Sequence, residues 1–243
     1  MAAGSPAGSD GESELRWDVE RRSGSAQDLH DAKPDFSRRL VRVNQVISPS
    51  LVLGSTQSLE LVDSRRARSA GVEIAKRRSG GGVVSMQPSA QCWVDVFIPA
   101  HDPLWVDDVT LSSLWIGRCW ARVAAEYGWS DTTVHTGGIS DAELSRLVCF
   151  AALGPGEVSQ GSTKLVGISQ RRTRQGAKFQ CIAYLRWDPT TILDLVDLGS
   201  AAEEVERRLT QNVGALRTQT AESPENQVDD GWSMVECLLS HLP

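Results

Sequence analysis

Three consecutive glycines, Gly80, Gly81 and Gly82, stand between the basic run Lys76-Arg77-Arg78-Ser79 and the β-branched pair Val83-Val84. Backbone without Cβ atoms makes a poor strand interior: it loses more conformational entropy on ordering and has no side chain to pack. It suits a turn whose backbone comes close to a ligand. Successive unhindered N–H groups in such a turn form a concavity for anions. Arg77 and Arg78 add planar donors for phosphate or carboxylate, and Ser79 adds a hydroxyl. Taken alone, the same run also fits an exposed hairpin with solvated charge.

Hydrophobic patterning on either side of this turn sets the fold class. Apolar and β-branched clustering predicts strands over 40–47, 51–53, 72–75, 92–98, 146–151, 164–170 and 179–187, the last two flanking a hairpin over 171–178. Helical spacing predicts helices from about 56 to 69, over 107–127, where Val109, Ile116, Trp120 and Val123 share a face, and over 190–196, 201–210 and 231–239. A loose polar link is expected over 218–230. Strands adjoin strands and helices fall between them without strict alternation, an α+β pattern with a mixed sheet flanked by helices. Residues 1–33 are small, acidic or charged and nearly free of large apolar residues, so a leader without fixed structure is expected there, Trp17 excepted, ahead of one domain over 34–243.

A second run, Lys164-Leu165-Val166-Gly167-Ile168-Ser169-Gln170-Arg171-Arg172, also combines chemistry with a strand pattern. Simple alternation puts Lys164, Val166, Ile168 and Gln170 on one face and Leu165, Gly167 and Ser169 on the other. Gly167 inside a strand again suggests close backbone approach. Lysine is scarce: only Lys33, Lys76, Lys164 and Lys178 among 25 basic residues. An ammonium is a compact charge that a guanidinium does not reproduce.

The two runs, in this order, resemble the paired signature of the biotin/lipoate protein-ligase family, lipoate–protein ligases in particular. Arg77 to Val84 matches the family's basic glycine loop, and Lys164 to Gln170 its Lys-aliphatic-x-Gly-small-x-Gln strand, with Ile168 larger than the usual small residue. The resemblance implies the α+β catalytic domain shared with biotin synthetases and class II aminoacyl-tRNA synthetases. It also implies activation of lipoate or octanoate by ATP with Mg2+, through an acyl-adenylate, and transfer to a lysine of a lipoyl-type carrier domain. Lys164 would then stabilise charge at the reacting centre. Arg77, Arg78 and the Gly80–Gly82 backbone would hold phosphate, and Ser79, Gly167, Ser169 and Gln170 would line the site.

Two features depart from that pattern. The family's glycine loop continues into a His-Asp pair, where this chain has Met86 and Gln87. Cys149-Phe150 ahead of Lys164 resembles the segment carrying the nucleophile of ATP-independent octanoyltransferases, which take an acyl group from acyl carrier protein as a thioester. A thiol beside a cationic lysine is a credible nucleophile, although a cysteine in Leu147-Val148-Cys149-Phe150 also reads as a buried small hydrophobe. Ligase, Cys149-dependent transferase and non-catalytic binder of the same fold are therefore the three readings.

Composition narrows the classes further. A net charge of −6 argues against a general nucleic-acid binder. Five cysteines without a CxxC pair, and histidines His30, His101, His135 and His241 without metal-ligand spacing, suggest neither a disulfide framework nor a metal site. No apolar run is long enough for a membrane span, and no secretory signal is visible. A cytoplasmic setting is expected.

Overall fold

The structure is a computed structural model and describes residues 16–216 and 230–243. Its frame is a seven-stranded mixed sheet. The strands are β1 (Asp18–Gly24), β2 (Leu40–Val46), β6 (Gln91–Pro99), β7 (Thr133–Val134), β8 (Val158–Gln160), β9 (Thr163–Arg172) and β10 (Gly176–Tyr184), in the order β1-β2-β6-β10-β9-β8-β7. Only β1 and β2 run parallel. A second sheet of β3 (Ser50–Leu53), β4 (Glu73–Lys76) and β5 (Val84–Met86) has β3 at its centre.

The central strand β6 is buried along its whole length, which explains its nearly continuous apolar sequence. One face of the large sheet packs under helices α3 (Leu114–Glu126) and α7 (Asp230–His241), where Trp120, Val123 and Leu238 meet Val94, Val96 and Cys181. The opposite face presents Trp93 and Val46 to Val52, Val84 and Met86 of the small sheet. Beside that contact, α5 (Thr190–Leu195) and α6 (Ala202–Gln211) close over Phe150 and Tyr184. The Tyr184 hydroxyl donates to the Ser85 carbonyl at 2.7 Å, joining the two sheets.

Four expectations are corrected. The leader is not without structure beyond residue 15: residues 18–24 form β1, and α1 (Ala26–Asp31) follows. Strand β1 pairs along seven residues of β2, so its hydrogen bonds need no apolar side chains. Helix α1 buries Ala26, Leu29 and His30, and Glu73 accepts the N–H groups of Ala26 and Gln27 at 2.9 Å each. Residues 1–15 lie outside the described residues, as does most of the link expected over 218–230.

Residues 146–151 are not a strand but the end of α4 (Ala142–Leu147) and a 3-10 turn, Cys149–Ala151. Asp141 caps that helix through the Leu144 N–H, and such a cap outweighs the short apolar run. Helix α3 starts at Leu114, because Asp108 accepts from Thr110 and Leu111 N–H and folds the preceding residues into turns. The helix expected from 56 divides into a 3-10 turn, Leu59–Leu61, and α2 (Ser64–Ser69), which is capped by Asp63.

Candidate functional site

The glycine turn connects β4 to β5 and passes over the end of β3. Its fold requires glycine at particular points. Gly81 has φ +97°, a region unfavourable to side chains. A Cβ on Gly82 would lie 2.5 Å from Val148 N and 2.7 Å from the Ser145 carbonyl, so no side chain fits between the turn and the end of α4. There the chain is stitched by Val83 N–H to Leu147 O (2.9 Å) and Cys149 N–H to Val83 O (3.0 Å). The turn thus meets the Cys149 segment: the Cβ position of Gly81 is 3.9 Å from Cys149 Sγ. No hydrogen bond among the described residues uses the N–H groups of Gly80, Gly81 or Gly82; Gly80 and Gly81 are exposed, so theirs are open to an anion, whereas Gly82 is buried.

Arg77 is buried beneath this turn rather than open to solvent. Its guanidinium donates to the carbonyls of Val52 (3.1 Å), Gly80 (2.8 Å) and Gly82 (2.8 Å). It braces the loop, with its donors turned toward backbone instead of outward to a phosphate. Burial holds the guanidinium below its ordinary pKa, and the nearby Cys149 sulfur acts in the opposite sense. Arg78 is directed away, 3.4 Å from Asp31 on the exposed side of α1.

Lys164 is buried and fully engaged. Its Nζ lies 2.6 Å from Glu157 Oε2, donates to the carbonyls of Cys149 (2.8 Å) and Ala152 (2.9 Å), and sits 4.7 Å from the Phe150 ring centroid. Glu157 is in turn fixed by the N–H groups of Gly154 (2.7 Å) and Ile168 (3.0 Å). Simple alternation along β9 fails here. A register shift opposite Val158 and Ser159 places Val166 and Lys164 against consecutive residues of β8. The extra residue on β9 turns Lys164 toward the Gly167 side. A Cβ on Gly167 would meet Phe150 at 2.9 Å, so its absence makes room for the ring that covers Lys164.

Between the two sheets lies a narrow cavity of about 30 Å³, lined by Cys149, Phe150, Gly167, Ser169, Met86 and Trp93 among others. Ser79 Oγ lies at its edge, 3.2 Å from Ser169 Oγ and 3.1 Å from Gln180 Oε1. Gln170 lies elsewhere, accepting from Ser112 Oγ and donating to the Val109 carbonyl. Met86 is buried in the wall, and Gln87 is held by Gln91 and Thr191, so neither supplies the chemistry of a His-Asp pair. His135 contacts the Gly138 carbonyl and does not line the cavity.

Sequence reasoning missed a buried polar group behind this cavity. Asp95 Oδ1 accepts from Trp93 Nε1 (3.0 Å) and Gln180 Nε2 (3.1 Å), and Lys178 Nζ is 3.5 Å from Oδ2. Gln180 Nε2 also lies 3.4 Å from His30 Nδ1; His30 lines the cavity, and its buried Nε2 has no hydrogen-bond partner among the described residues. A charged residue within the apolar run 92–98 was the available signal for Asp95; His30 gave none, standing in the supposed leader.

Comparison with known proteins agrees with this architecture. The family model for the lipoyl protein ligase A/B catalytic domain matches residues 27–229. No curated protein sequence matches significantly. A lipoate-protein ligase A crystallised with ATP superposes with a TM-score of 0.65 at 14% identity, over 94% of this chain and 83% of the other. A putative lipoate protein ligase from T. acidophilum with bound lipoic acid gives 0.57 at 15% identity, over 81% and 83%. The bi-partite lipoate protein ligase of the Thermoplasma acidophilum lipoylation system, studied with its E2 lipoyl domain, gives 0.59 at 12% identity, over 92% and 82%. At these identities the superpositions speak for the fold.

Proposed function

Because the chain belongs to the lipoyl protein ligase A/B catalytic-domain family, we propose that it attaches a lipoyl- or octanoyl-type acyl group to a lysine of a lipoyl-type carrier domain, after activating the acid with ATP. The observation that carries this reading is the turn with exposed, unbonded N–H groups at Gly80 and Gly81 beside the cavity that holds Cys149, with Lys164 beneath its wall. Backbone N–H groups around a positive-φ glycine suit phosphate oxygens, and a nucleotide there would bring its own Mg2+. The cavity is narrower than an acyl chain needs, and Gly167 and Ser169 in its wall leave room for a thin aliphatic chain once the lining side chains move apart. ATP, lipoic acid and an E2 lipoyl domain feature in the relatives described above, which supports the same substrates and partner here.

In the first step a carboxylate oxygen forms a bond to the α-phosphorus as pyrophosphate leaves. In the second the carrier amine attacks the acyl carbon and AMP leaves. All three N–H bonds of Lys164 are occupied, so the ammonium contributes a donor by exchanging one carbonyl, that of Cys149 or Ala152, for an acyl oxygen. Intact-mass analysis of a lipoyl carrier domain incubated with lipoate or octanoate tests the reading. Mass gain only with ATP supports it; no gain under any condition leaves a non-catalytic binder.

A second reading is favoured by one observation: the Cys149 sulfur itself lines the cavity, close to the Arg77 cation. In that case the Cys149 sulfur attacks a carrier thioester, its S–H proton leaves with the carrier sulfur as the carrier thiol, and the acceptor amine then takes the acyl group while its proton returns to the Cys149 sulfur. Mass gain on the acceptor with octanoyl acyl carrier protein and no ATP would select it.

A further inference from the structure

On the face of the molecule formed by α3 and α7, remote from the cavity between the sheets, three potential metal ligands converge. Cys237 and His241 are four residues apart on α7 and therefore neighbours on one helical face. Glu126 ends α3 directly opposite. His241 Nε2 lies 2.6 Å from Glu126 Oε1, Cys237 Sγ lies 3.2 Å from Glu126 Oε2, and the three ligand atoms all fall within 4.8 Å of one another.

We propose that Glu126, Cys237 and His241 form a binding site for a divalent transition-metal ion, with Zn2+ as the best match. Thiolate, imidazole and carboxylate together are zinc's preferred donors, with bonds of about 2.0–2.3 Å. A tetrahedral ion with such bonds needs ligand atoms roughly 3.3–3.7 Å apart. The present separations, 2.6 and 3.2 Å with all three atoms within 4.8 Å of one another, bracket that value. Charge fits as well: one thiolate and one carboxylate neutralise a dication, while imidazole gives a neutral nitrogen. On binding, Cys237 gives its S–H proton to solvent as the metal–sulfur bond forms. Glu126 is exposed, which leaves a fourth position open to water.

Behind these ligands the site is held in place. Cys119 Sγ donates to the His241 carbonyl at 3.2 Å and ties the end of α7 to the middle of α3. An ion here would pin α7 to α3 above the large sheet. This departs from the expectation of no metal site, which rested on cysteine pairs and histidine spacing taken separately; the mixed pair Cys237 and His241 stands four residues apart, and the third ligand comes from a distant helix.

The test uses the whole chain, stripped with chelator and titrated with Co2+. One equivalent is expected to bind with a sulfur-to-cobalt charge-transfer absorption, to be displaced by Zn2+, and Zn2+ is expected to raise the melting temperature. Cys237→Ser should abolish the charge-transfer band, and His241→Ala and Glu126→Gln should each weaken binding at least ten-fold. Glu126→Gln alters an exposed side chain and leaves the helices' packing intact, so it keeps the test meaningful if the other variants fold poorly. Absence of the band in the wild-type chain, or a band that survives in Cys237→Ser, would overturn the proposal.

Discussion

The ammonium of Lys164 lies 2.6 Å from the carboxylate of Glu157, and both side chains are almost wholly enclosed, 3% and 5% exposed. A buried pair of this kind adds little net stability but is costly to break from one side, because the surviving charge stays unpaired. Lys164→Ala should therefore abolish acyl transfer and also destabilise the fold by about 3–5 kcal/mol. Urea titration alongside a transfer assay measures both. The double variant Lys164→Met/Glu157→Gln should recover part of the stability and none of the transfer. Wild-type stability in Lys164→Ala would remove Glu157 as its partner.

The glycine turn yields a steric contrast. A Cβ on Gly80 meets nothing within 4 Å, whereas one on Gly82 collides with backbone at Leu147 and Val148. Gly80→Ala should fold and keep most of its activity. Gly82→Ala should separate the turn from the Cys149 segment and lower transfer at least ten-fold. Equal activity of the two variants, in parallel rate measurements, would refute the stitched arrangement.

Deleting residues 1–32 tests β1 and α1. Leu29 alone is 4% exposed, and Leu29→Ala should cost about 2–4 kcal/mol, in line with large-to-small changes in cores. The deletion, which also removes a seven-residue strand pairing, should lower the melting temperature by more than that variant does. An unchanged melting temperature would show that the segment adds nothing to the folded domain.

His30 gives the pH dependence. Its pKa is lowered from the ordinary 6.5 to about 3, first by burial and then by the charges of Lys178 and Arg77. Between those values the unfolded chain binds the proton and the folded chain does not, so stability rises with pH. This one group should make stability fall by about 1.4 kcal/mol for each pH unit lowered from 6 toward 4. Chemical denaturation at several pH values should show that increment in the native chain and not in His30→Gln.

What the sequence revealed follows from how each feature is encoded. The strand at Cys92 to Ile98, the hairpin after Gln170 and the glycine turn are carried by local residue type, and the structure has all three. Cys149, Lys164, Gly167 and the glycine turn, each singled out from the sequence, lie near one another in the fold. Strand β1 was hidden because its pairing with β2 rests on backbone, and its charged residues Glu20, Arg21 and Arg22 read as solvent-loving. The face of Lys164 was hidden because one bulge opposite Val158 and Ser159 inverts a period-two pattern. Glu157 and His30 were hidden because their roles arise from contacts between distant segments.

Where the acyl group is held before it reaches the carrier lysine separates the two chemistries, and Cys149→Ser decides this most directly. A serine hydroxyl is a far weaker nucleophile than a cysteine sulfur, so a thioester mechanism would lose orders of magnitude in rate. If ATP activates the acid, Cys149 only lines the cavity, and the change removes little volume. The measurement is the rate of carrier-domain acylation by Cys149→Ser, with ATP and lipoate or octanoate, read by intact mass. We predict ATP-dependent product, AMP release and at least about a third of the wild-type rate, the small loss that altering a pocket contact implies. Loss of a hundred-fold or more, together with an octanoyl adduct on Cys149 formed from acyl carrier protein without ATP, would contradict the account and establish the thioester route.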